Sequence, residues 1–292
     1  MLGGNIALSL KNEYNIFGAD LEKINIPGIH SEIINLLDIH SLIVSIKNIK
    51  PDILIHTAAA VNVEACEEDF NYAHQLNSEL TKQISLICKE YKIKMIYIST
   101  DAVFDGNRMG LYTELDQVNP INNYGLTKLD GEYETLKVNT NIVLRTNIYG
   151  YNIQGKNSFG EWILYSLLEN KEISMFDDIF FSPILANELA GIIGKIIDKD
   201  LNGLYHVSGA GSISKYNFGM ELKKIFHIEQ GIINKSKSSD FHFKAKRALN
   251  MGMNNMKICE ALGIQISTPI ESIQMFKKYY DEGLPQLLKT MR

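Results

Sequence analysis

Residues 94–136 read KMIYISTDAVFDGNRMGLYTELDQVNPINNYGLTKLDGEYETL and contain one full unit of a pattern that repeats through the first half of the chain. The unit begins with a short β-type run at 94–99 and ends with a longer amphipathic stretch at 125–136. Strands that alternate with helical crossovers are typical of βαβ units in a parallel sheet. The pattern therefore predicts the α/β class with a doubly wound parallel sheet. Outside this unit, the sequence predicts strands at 15–19, 52–57 and 142–146, and helices at 39–49 and 69–91.

The rhythm changes after Gly150, where short helices and irregular loops replace the regular alternation. We predict a smaller C-terminal substrate domain that is partly interleaved with the first. The cofactor-binding domain is then 1–150 plus about 183–207, and the substrate-binding part is 151–182 and 208–292. The predicted elements of this half are helices at 158–169, 185–197, 256–262 and 269–283, and a strand at 205–209.

Composition narrows the class of protein. The 292 residues carry a net charge of −5, and the 29 Lys and Arg residues are scattered, which disfavours nucleic acid as a partner. No apolar run is long enough to span a membrane. Cys66, Cys88 and Cys259 show no CxxC spacing, so neither a disulfide framework nor a zinc site is indicated. We therefore expect a cytoplasmic protein. The most basic stretch, 235–247, is either a solvated loop or a contact to substrate phosphates.

Three residues of the opening segment are candidates for acid–base chemistry. Tyr124 and Lys128 lie four apart on a predicted helix, which places their side chains on one face. An adjacent ammonium group favours the phenolate of a tyrosine, so Lys128 is expected to lower the Tyr124 pKa and make Tyr124 a general acid or base. Thr100 follows a predicted strand at the carboxyl edge of the sheet, where open α/β folds place their ligands.

The segments STDAVFDG (99–106) and YGLTKLDGE (124–132) resemble the dTDP-4-dehydrorhamnose reductase family of extended short-chain dehydrogenases, whose pattern runs close to STDYVFDG and YGxTKxxGE. The similarity covers nearly the whole chain, because it continues through ILIHTAAAVNVEACE (53–67), LRTNIYG (144–150) and GLYHVSG (203–209).

The resemblance implies a Rossmann-type fold and NADH- or NADPH-dependent reduction of the 4-keto group of a nucleotide-linked deoxysugar, in surface polysaccharide precursor synthesis. Thr100, Tyr124 and Lys128 would form the catalytic triad, with Lys128 also holding the nicotinamide ribose. The other cofactor-binding residues that it implies are Gly3, Asp20, Asp38, Ile39, Ala58, Ala59, Ala60, Asn77 and Ser99, and the implied substrate-binding residues are Val103, Phe104, Asn147 and Arg247.

Two of these assignments have structural alternatives. Asp38 and Ile39 fall where the family places the adenine edge, but they also suit a plain loop and helix start. Asp20 follows a predicted strand and is suited to the adenosine ribose hydroxyls, which would favour NAD over NADP because a carboxylate repels a 2′-phosphate. The alternative for Asp20 is an exposed loop residue.

The amino terminus departs from the family pattern. The family opens with a β-strand and a GxxGxxG turn, whereas this chain begins MLGGNIALSL, with Gly3 at the position of the last glycine. We expect the first β-strand to be missing. That strand would lie at the sheet centre, so our hypothesis is that Met1 is an internal methionine of a longer natural product.

Further departures concern the substrate and the reaction. Asn147 stands where rhamnose-forming enzymes commonly have Trp, and Pro183–Ile184 stands where they commonly have Pro-Thr. If these positions select the sugar, the substrate differs from that of the rhamnose-forming enzymes. Ala102 replaces the Glu with which related dehydratases eliminate water, which favours plain reduction.

The alternatives to a reductase are a nucleotide-sugar epimerase and a non-catalytic regulatory subunit. A magnesium ion has no support in ligand spacing, and a homodimer is an analogy with related folds.

Overall fold

The computed structural model describes residues 1–153 and 156–291. Its helices are α1 (Leu2–Leu10), α2 (Ile39–Ile49), α3 (Val63–Glu68), α4 (Phe70–His74), α5 (Leu80–Tyr91), α6 (Asn123–Leu136), α7 (Phe159–Leu168), α8 (Ala186–Asp198), α9 (Lys215–Ile225), α10 (Met256–Leu262), α11 (Pro269–Asp281) and α12 (Leu284–Lys289). Its strands are β1 (Phe17–Asp20), β2 (His30–Ile33), β3 (Ile53–His56), β4 (Lys94–Thr100), β5 (Ile142–Thr146), β6 (Ile148–Tyr149), β7 (Glu172–Phe176), β8 (Phe180–Phe181), β9 (Ile184–Leu185), β10 (Gly203–His206), β11 (Ile213–Ser214), β12 (Ile232–Ser236) and β13 (Asn250–Met251).

Strand β4 lies inside a parallel four-stranded sheet of order β10-β5-β4-β3. Successive side chains of a strand point to opposite faces. Met95 and Tyr97 enter a core with α2 and α5, whereas Ile96 and Ile98 enter a second core with α1 and α8. Both faces of the sheet are therefore covered by helices, and the predicted α/β fold with a doubly wound parallel sheet is confirmed.

Strands β1 and β2 form a separate parallel pair, with Phe17 opposite His30. In residues 1–153 and 156–291, no strand hydrogen-bonds to both β1 and β3, so the parallel strands belong to two sheets rather than one. Strand β2 lies where the sequence predicted none. The sequence of β2, HSEI, contains no hydrophobic run, so the strand is difficult to recognise from sequence. Its apolar end residue, Ile33, is 66% exposed and does not mark a buried strand.

The helix predicted at 69–91 is interrupted. α4 and α5 flank a π-helical turn at Gln75–Glu79, which contains Asn77. Such turns often mark functional sites. Here the widened turn meets α6 closely, since a Cβ atom on Gly131 would lie 2.7 Å from the Asn77 carbonyl oxygen. The Asn77 side chain remains free to bind the backbone of Ala60, with bonds of 2.8 and 3.1 Å.

The second half of the chain builds a core of its own around Tyr149, Phe218 and Phe276. Tyr149 packs edge-on against both phenylalanine rings at 5.1 and 5.4 Å. Short strand pairs surround this core: β7 with β12, β8 with β11 and β13, and β6 with β9. The two halves meet beside the carboxyl end of β5, because β6 begins two residues after β5 ends.

Candidate active site

Helix α6 carries Tyr124 and Lys128, and its first turn is set by local sequence. The Asn122 side chain caps the helix by accepting a hydrogen bond of 2.9 Å from the Gly125 backbone. Tyr124 therefore lies in the first turn, and Lys128 lies one turn later on the same face. Tyr124 is half-buried, whereas the Lys128 side chain is buried.

Gly125 brings this helix against the end of β4. A Cβ atom at this position would lie 2.2 Å from the Ala102 carbonyl oxygen. Ala102 belongs to the 3₁₀ turn that directly follows Thr100. The close approach of two backbones therefore places Thr100 beside the first turn of α6.

Replacing Gly125 by alanine should lower kcat at least about 10-fold, because displacing catalytic groups by about 1 Å can cost 10²-fold. The clash with backbone should also cost about 1–3 kcal/mol of unfolding free energy. Steady-state kinetics and denaturant melts measure both effects. Gly191→Ala is the matched control, since a Cβ atom at this helical position meets nothing within 4 Å. Equal kinetics for both variants would contradict the packing argument.

Thr100 is buried, and its hydroxyl has partners on both sides. It accepts a hydrogen bond from the Ala102 backbone and donates one to the Asp101 carboxylate, each at 3.1 Å. Burial raises the pKa of Asp101 to about 6, although hydrogen bonds from Asn147 and Thr100 and the charge of Lys215 oppose this rise. Asp101 is a site residue that the sequence analysis did not single out. Its position directly after Thr100 in STDAVFDG was the available signal.

The protonation state of Tyr124 differs from the prediction. Burial, and less strongly the negative charge of Asp101, raise the Tyr124 pKa to about 12, and the side chain of Thr100 opposes the rise. The expectation that Lys128 would bring this pKa down was wrong, because desolvation disfavours the phenolate more strongly. At neutral pH Tyr124 is a neutral phenol that can donate a proton.

Lys128 is held inside the protein by two contacts. Its ammonium group donates a hydrogen bond of 2.7 Å to the Ile98 carbonyl and lies 4.1 Å from the centre of the Tyr97 ring. Burial lowers the Lys128 pKa to about 7, and the negative charge of Glu132 limits the fall. Small changes around Lys128 therefore decide whether it is charged at neutral pH.

A second group of predicted residues lies at the carboxyl end of β3. Gly3 is in the first turn of α1, and a Cβ atom there would lie 3.0 Å from the Thr57 hydroxyl oxygen. Residues 58–60 are alanines that leave the surface unobstructed, and Asn77 holds the backbone of Ala60. A helix amino terminus beside small residues suits the phosphates of a dinucleotide. These residues therefore fit a nicotinamide adenine dinucleotide.

The remaining predicted cofactor residues have structural roles here. Asp38 caps α2, accepting hydrogen bonds from the Ser41 hydroxyl at 2.6 Å and backbone at 3.4 Å, and Ile39 begins that helix. Asp20 ends β1 and accepts a bond of 3.3 Å from the Glu22 backbone. Ser99 donates its proton to Glu132 at 2.6 Å, so this hydroxyl proton is directed into the core rather than toward a ligand.

The predicted substrate residues divide into two kinds. Val103 and Phe104 are fully buried, and the Phe104 ring stacks on Tyr112 with centroids 4.0 Å apart. Substrate contact by these two side chains does not match the structure, since they fill the small core beneath the loop. Asn147 instead reaches the site, where it donates a hydrogen bond of 2.5 Å to Asp101.

Arg247 lies on the segment that joins the substrate side to α3. Its guanidinium group pairs with Glu64 at 2.6 Å and lies 4.8 Å from the centre of the Phe243 ring. The neighbouring Lys244 binds Glu64 through its backbone and Glu68 through its side chain. The acidic residues of α3 therefore hold part of the basic stretch that the sequence analysis described as a loop or a phosphate contact.

Across 1–153 and 156–291, no three His, Cys, Asp or Glu side chains are grouped so that they could hold a metal ion. Within the same residues, no helix has the length and apolar character that crossing a membrane requires.

A parallel α/β sheet with Thr100 at a strand end and Tyr124 and Lys128 on the adjacent helix defines the class of short-chain dehydrogenases and reductases. The sequence model described as RmlD substrate binding domain matches residues 12–281. The chain therefore belongs to this family.

Similar proteins of known name agree with this assignment. A dTDP-4-dehydrorhamnose reductase of Aggregatibacter actinomycetemcomitans is 27% identical over 248 residues, 80% of this chain and 83% of the relative. A crystal structure of a dTDP-4-dehydrorhamnose reductase from Clostridium acetobutylicum superposes with a TM-score of 0.83 at 25% identity, covering 96% of each chain. The Bacillus anthracis enzyme in complex with NADP gives a TM-score of 0.81 at 25% identity, over 90% of this chain and 98% of that one.

Proposed function

We propose that this protein is an NAD(P)H-dependent oxidoreductase that reduces the 4-keto group of a nucleotide-linked deoxysugar, as a dTDP-4-dehydrorhamnose reductase does. The observation that carries the proposal is the meeting of Thr100 with Tyr124, kept as a neutral phenol, at the carboxyl edge of the sheet. A proton donor is what ketone reduction requires from the protein. The product would serve surface polysaccharide synthesis.

In this mechanism the protein binds the ketone and delivers a proton. A bound reduced nicotinamide would supply the hydride. Tyr124 donates its phenolic proton to the ketone oxygen, and the Thr100 hydroxyl positions that oxygen. Lys128, one turn further along α6, stabilises the phenolate that remains. Gly3 and residues 58–60 would hold the dinucleotide phosphates, with Asn77 keeping the Ala60 backbone in place.

The finer assignments are part of the same proposal. We assign 1–150 with about 183–207 to cofactor binding, because β10 pairs with β5 and so completes the first sheet. We assign 151–182 and 208–292 to the nucleotide sugar, with Asn147 and Arg247 as its contacts. We further propose a cytoplasmic protein that forms a homodimer and does not bind nucleic acid.

The test is oxidation of NADH and NADPH by the purified protein with dTDP-4-dehydrorhamnose. We expect stoichiometric consumption of one reduced cofactor and formation of a 4-hydroxy sugar, with Tyr205→Phe on β10 as an active control. An epimerase would convert its substrate without net consumption of the cofactor. The proposed function would be contradicted by a folded protein that binds the reduced cofactor but does not oxidise it with any 4-keto nucleotide sugar.

A further inference from the structure

Glu132 lies one helical turn after Lys128 and is 1% exposed. Its carboxylate is the meeting point of three secondary-structure elements. One oxygen accepts a hydrogen bond of 2.6 Å from Ser99 on β4. Both oxygens accept bonds of 2.7–3.1 Å from Arg145 on β5, which is itself 3% exposed. A buried charge with this many partners is satisfied, whereas removing one partner would leave the other unpaired.

The network also leads back to the catalytic strand. Ser99 directly precedes Thr100, and Arg145 directly precedes Thr146, which pairs with Thr100 across the sheet. A carboxylate on α6 that binds both strands therefore fixes how far along the sheet edge the helix lies. The position of Tyr124 and Lys128 relative to Thr100 depends on this placement of the helix.

The charges around Lys128 are unbalanced without Glu132. The buried groups that face Lys128 are Tyr97 of β4 and His56 of β3, and both are uncharged at neutral pH because burial raises the pKa of the tyrosine and lowers that of the histidine to about 3. Tyr124 of the same helix is a neutral phenol. Near Arg145, His206 is likewise kept neutral by burial, with a pKa of about 3. Of the named groups, Glu132 alone brings negative charge to the two buried cations.

We propose that Glu132 is a positioning residue of the active site: its carboxylate ties α6 to β4 and β5 and favours the charged form of Lys128 beside Thr100 and Tyr124. The inference rests on the proposed function for its catalytic meaning, whereas its electrostatic part does not depend on turnover. Glu132 itself touches neither substrate nor cofactor. The sequence signal was its place at the end of YGLTKLDGE, one turn beyond Lys128.

The test compares Glu132→Gln with the intact chain in two measurements. Lysine side chains carrying ¹⁵N and ¹³C report the titration of Lys128 by NMR, with Lys128→Met identifying its signal. We expect a midpoint of about 7 in the intact protein. In Glu132→Gln it should fall by about 1–3 pH units, the usual effect of losing a nearby opposite charge. The pH dependence of kcat/KM should shift in the same direction.

Two further variants keep the result decisive. If Glu132→Gln alone fails to fold, the double variant Glu132→Gln, Arg145→Met removes both partners of the ion pair. The Lys128 midpoint should then still fall, although by less, because a buried cation is lost together with the carboxylate. Glu161→Gln removes another buried carboxylate, which caps α7, and should leave the Lys128 midpoint unmoved. An unchanged midpoint in the Glu132 variants would overturn the inference. A shifted midpoint in a protein without reductase activity would instead sustain the inference and contradict the proposed function.

Discussion

Replacing Tyr124 by phenylalanine should lower kcat by about 10²–10⁴-fold, the usual contribution of a positioned general acid. The loss has a specific cause, because this substitution removes only the phenolic oxygen. Burial and the charge of Asp101 keep that oxygen protonated, with a pKa of about 12. Initial rates of reduced-cofactor oxidation at saturating substrate measure the effect.

The control for Tyr124→Phe is the same substitution at a tyrosine outside the site. Tyr205→Phe removes a hydroxyl from β10 and keeps the ring, which packs against the core of α1 and α8 and lies 4.5 Å from the ammonium group of Lys257. This variant should keep its kcat. Cofactor affinity and thermal stability should change little in either protein. A Tyr124→Phe enzyme with at least a tenth of the original kcat would show that another group, such as Asp101, supplies the proton.

Replacing Lys128 by methionine should have opposite effects on activity and stability. We expect kcat/KM to fall by about 10²–10³-fold, because the phenolate formed in proton transfer loses its nearby cation. We expect the unfolding free energy to rise, because burial disfavours the ammonium group and lowers its pKa from 10.5 to about 7. Kinetics and urea melts across pH 6–9 test both effects.

The pH dependence of these effects follows from the sign of the pKa shift. Below the folded pKa of about 7, both the folded and the unfolded chain carry the Lys128 proton, and the cost of burying the charge is fully present. As pH rises from 7 toward 10.5, the folded protein releases a proton that the unfolded chain keeps, so the stability of the intact protein rises.

The gain from Lys128→Met should therefore be largest at low pH and shrink above neutrality. In the intact enzyme, kcat/KM should decline above about pH 7 as the ammonium group is lost, and Lys128→Met should lack that decline. A variant that loses stability at every pH would show that the methylene chain of Lys128 matters more than its charge.

Much of the sheet could be predicted because its signals are local. Residues 94–99 and 142–146 are short apolar runs between helical stretches, and the structure has β4 and β5 at these places. β7 and β12 escaped prediction, since their neighbours are irregular loops and their pairing joins residues 172–176 to 232–236. The π-helical turn at Gln75–Glu79 was also missed, because it depends on contact with Gly131 of another helix.

Only part of the candidate site could be predicted, again because local signals are readable from the sequence and long-range packing is not. Thr100, Tyr124 and Lys128 lie in two short motifs, whose spacing placed them correctly at a strand end and on one helix face. Val103 and Phe104 belong to the same motif, yet they are buried in a core completed by Met253 from the far end of the chain. Which members of a motif face the site depends on the segments that pack over them.

The sequence by itself determined the strands at 94–99 and 142–146 and the one-turn spacing of Tyr124 and Lys128. These features depend on neighbouring residues along the chain. The tertiary structure alone decided that Tyr124 is a neutral phenol, that Lys128 titrates near neutrality, and that Glu132 binds Arg145. Desolvation and buried ion pairs arise when distant segments exclude water from the same place, and no local pattern records which segments will meet.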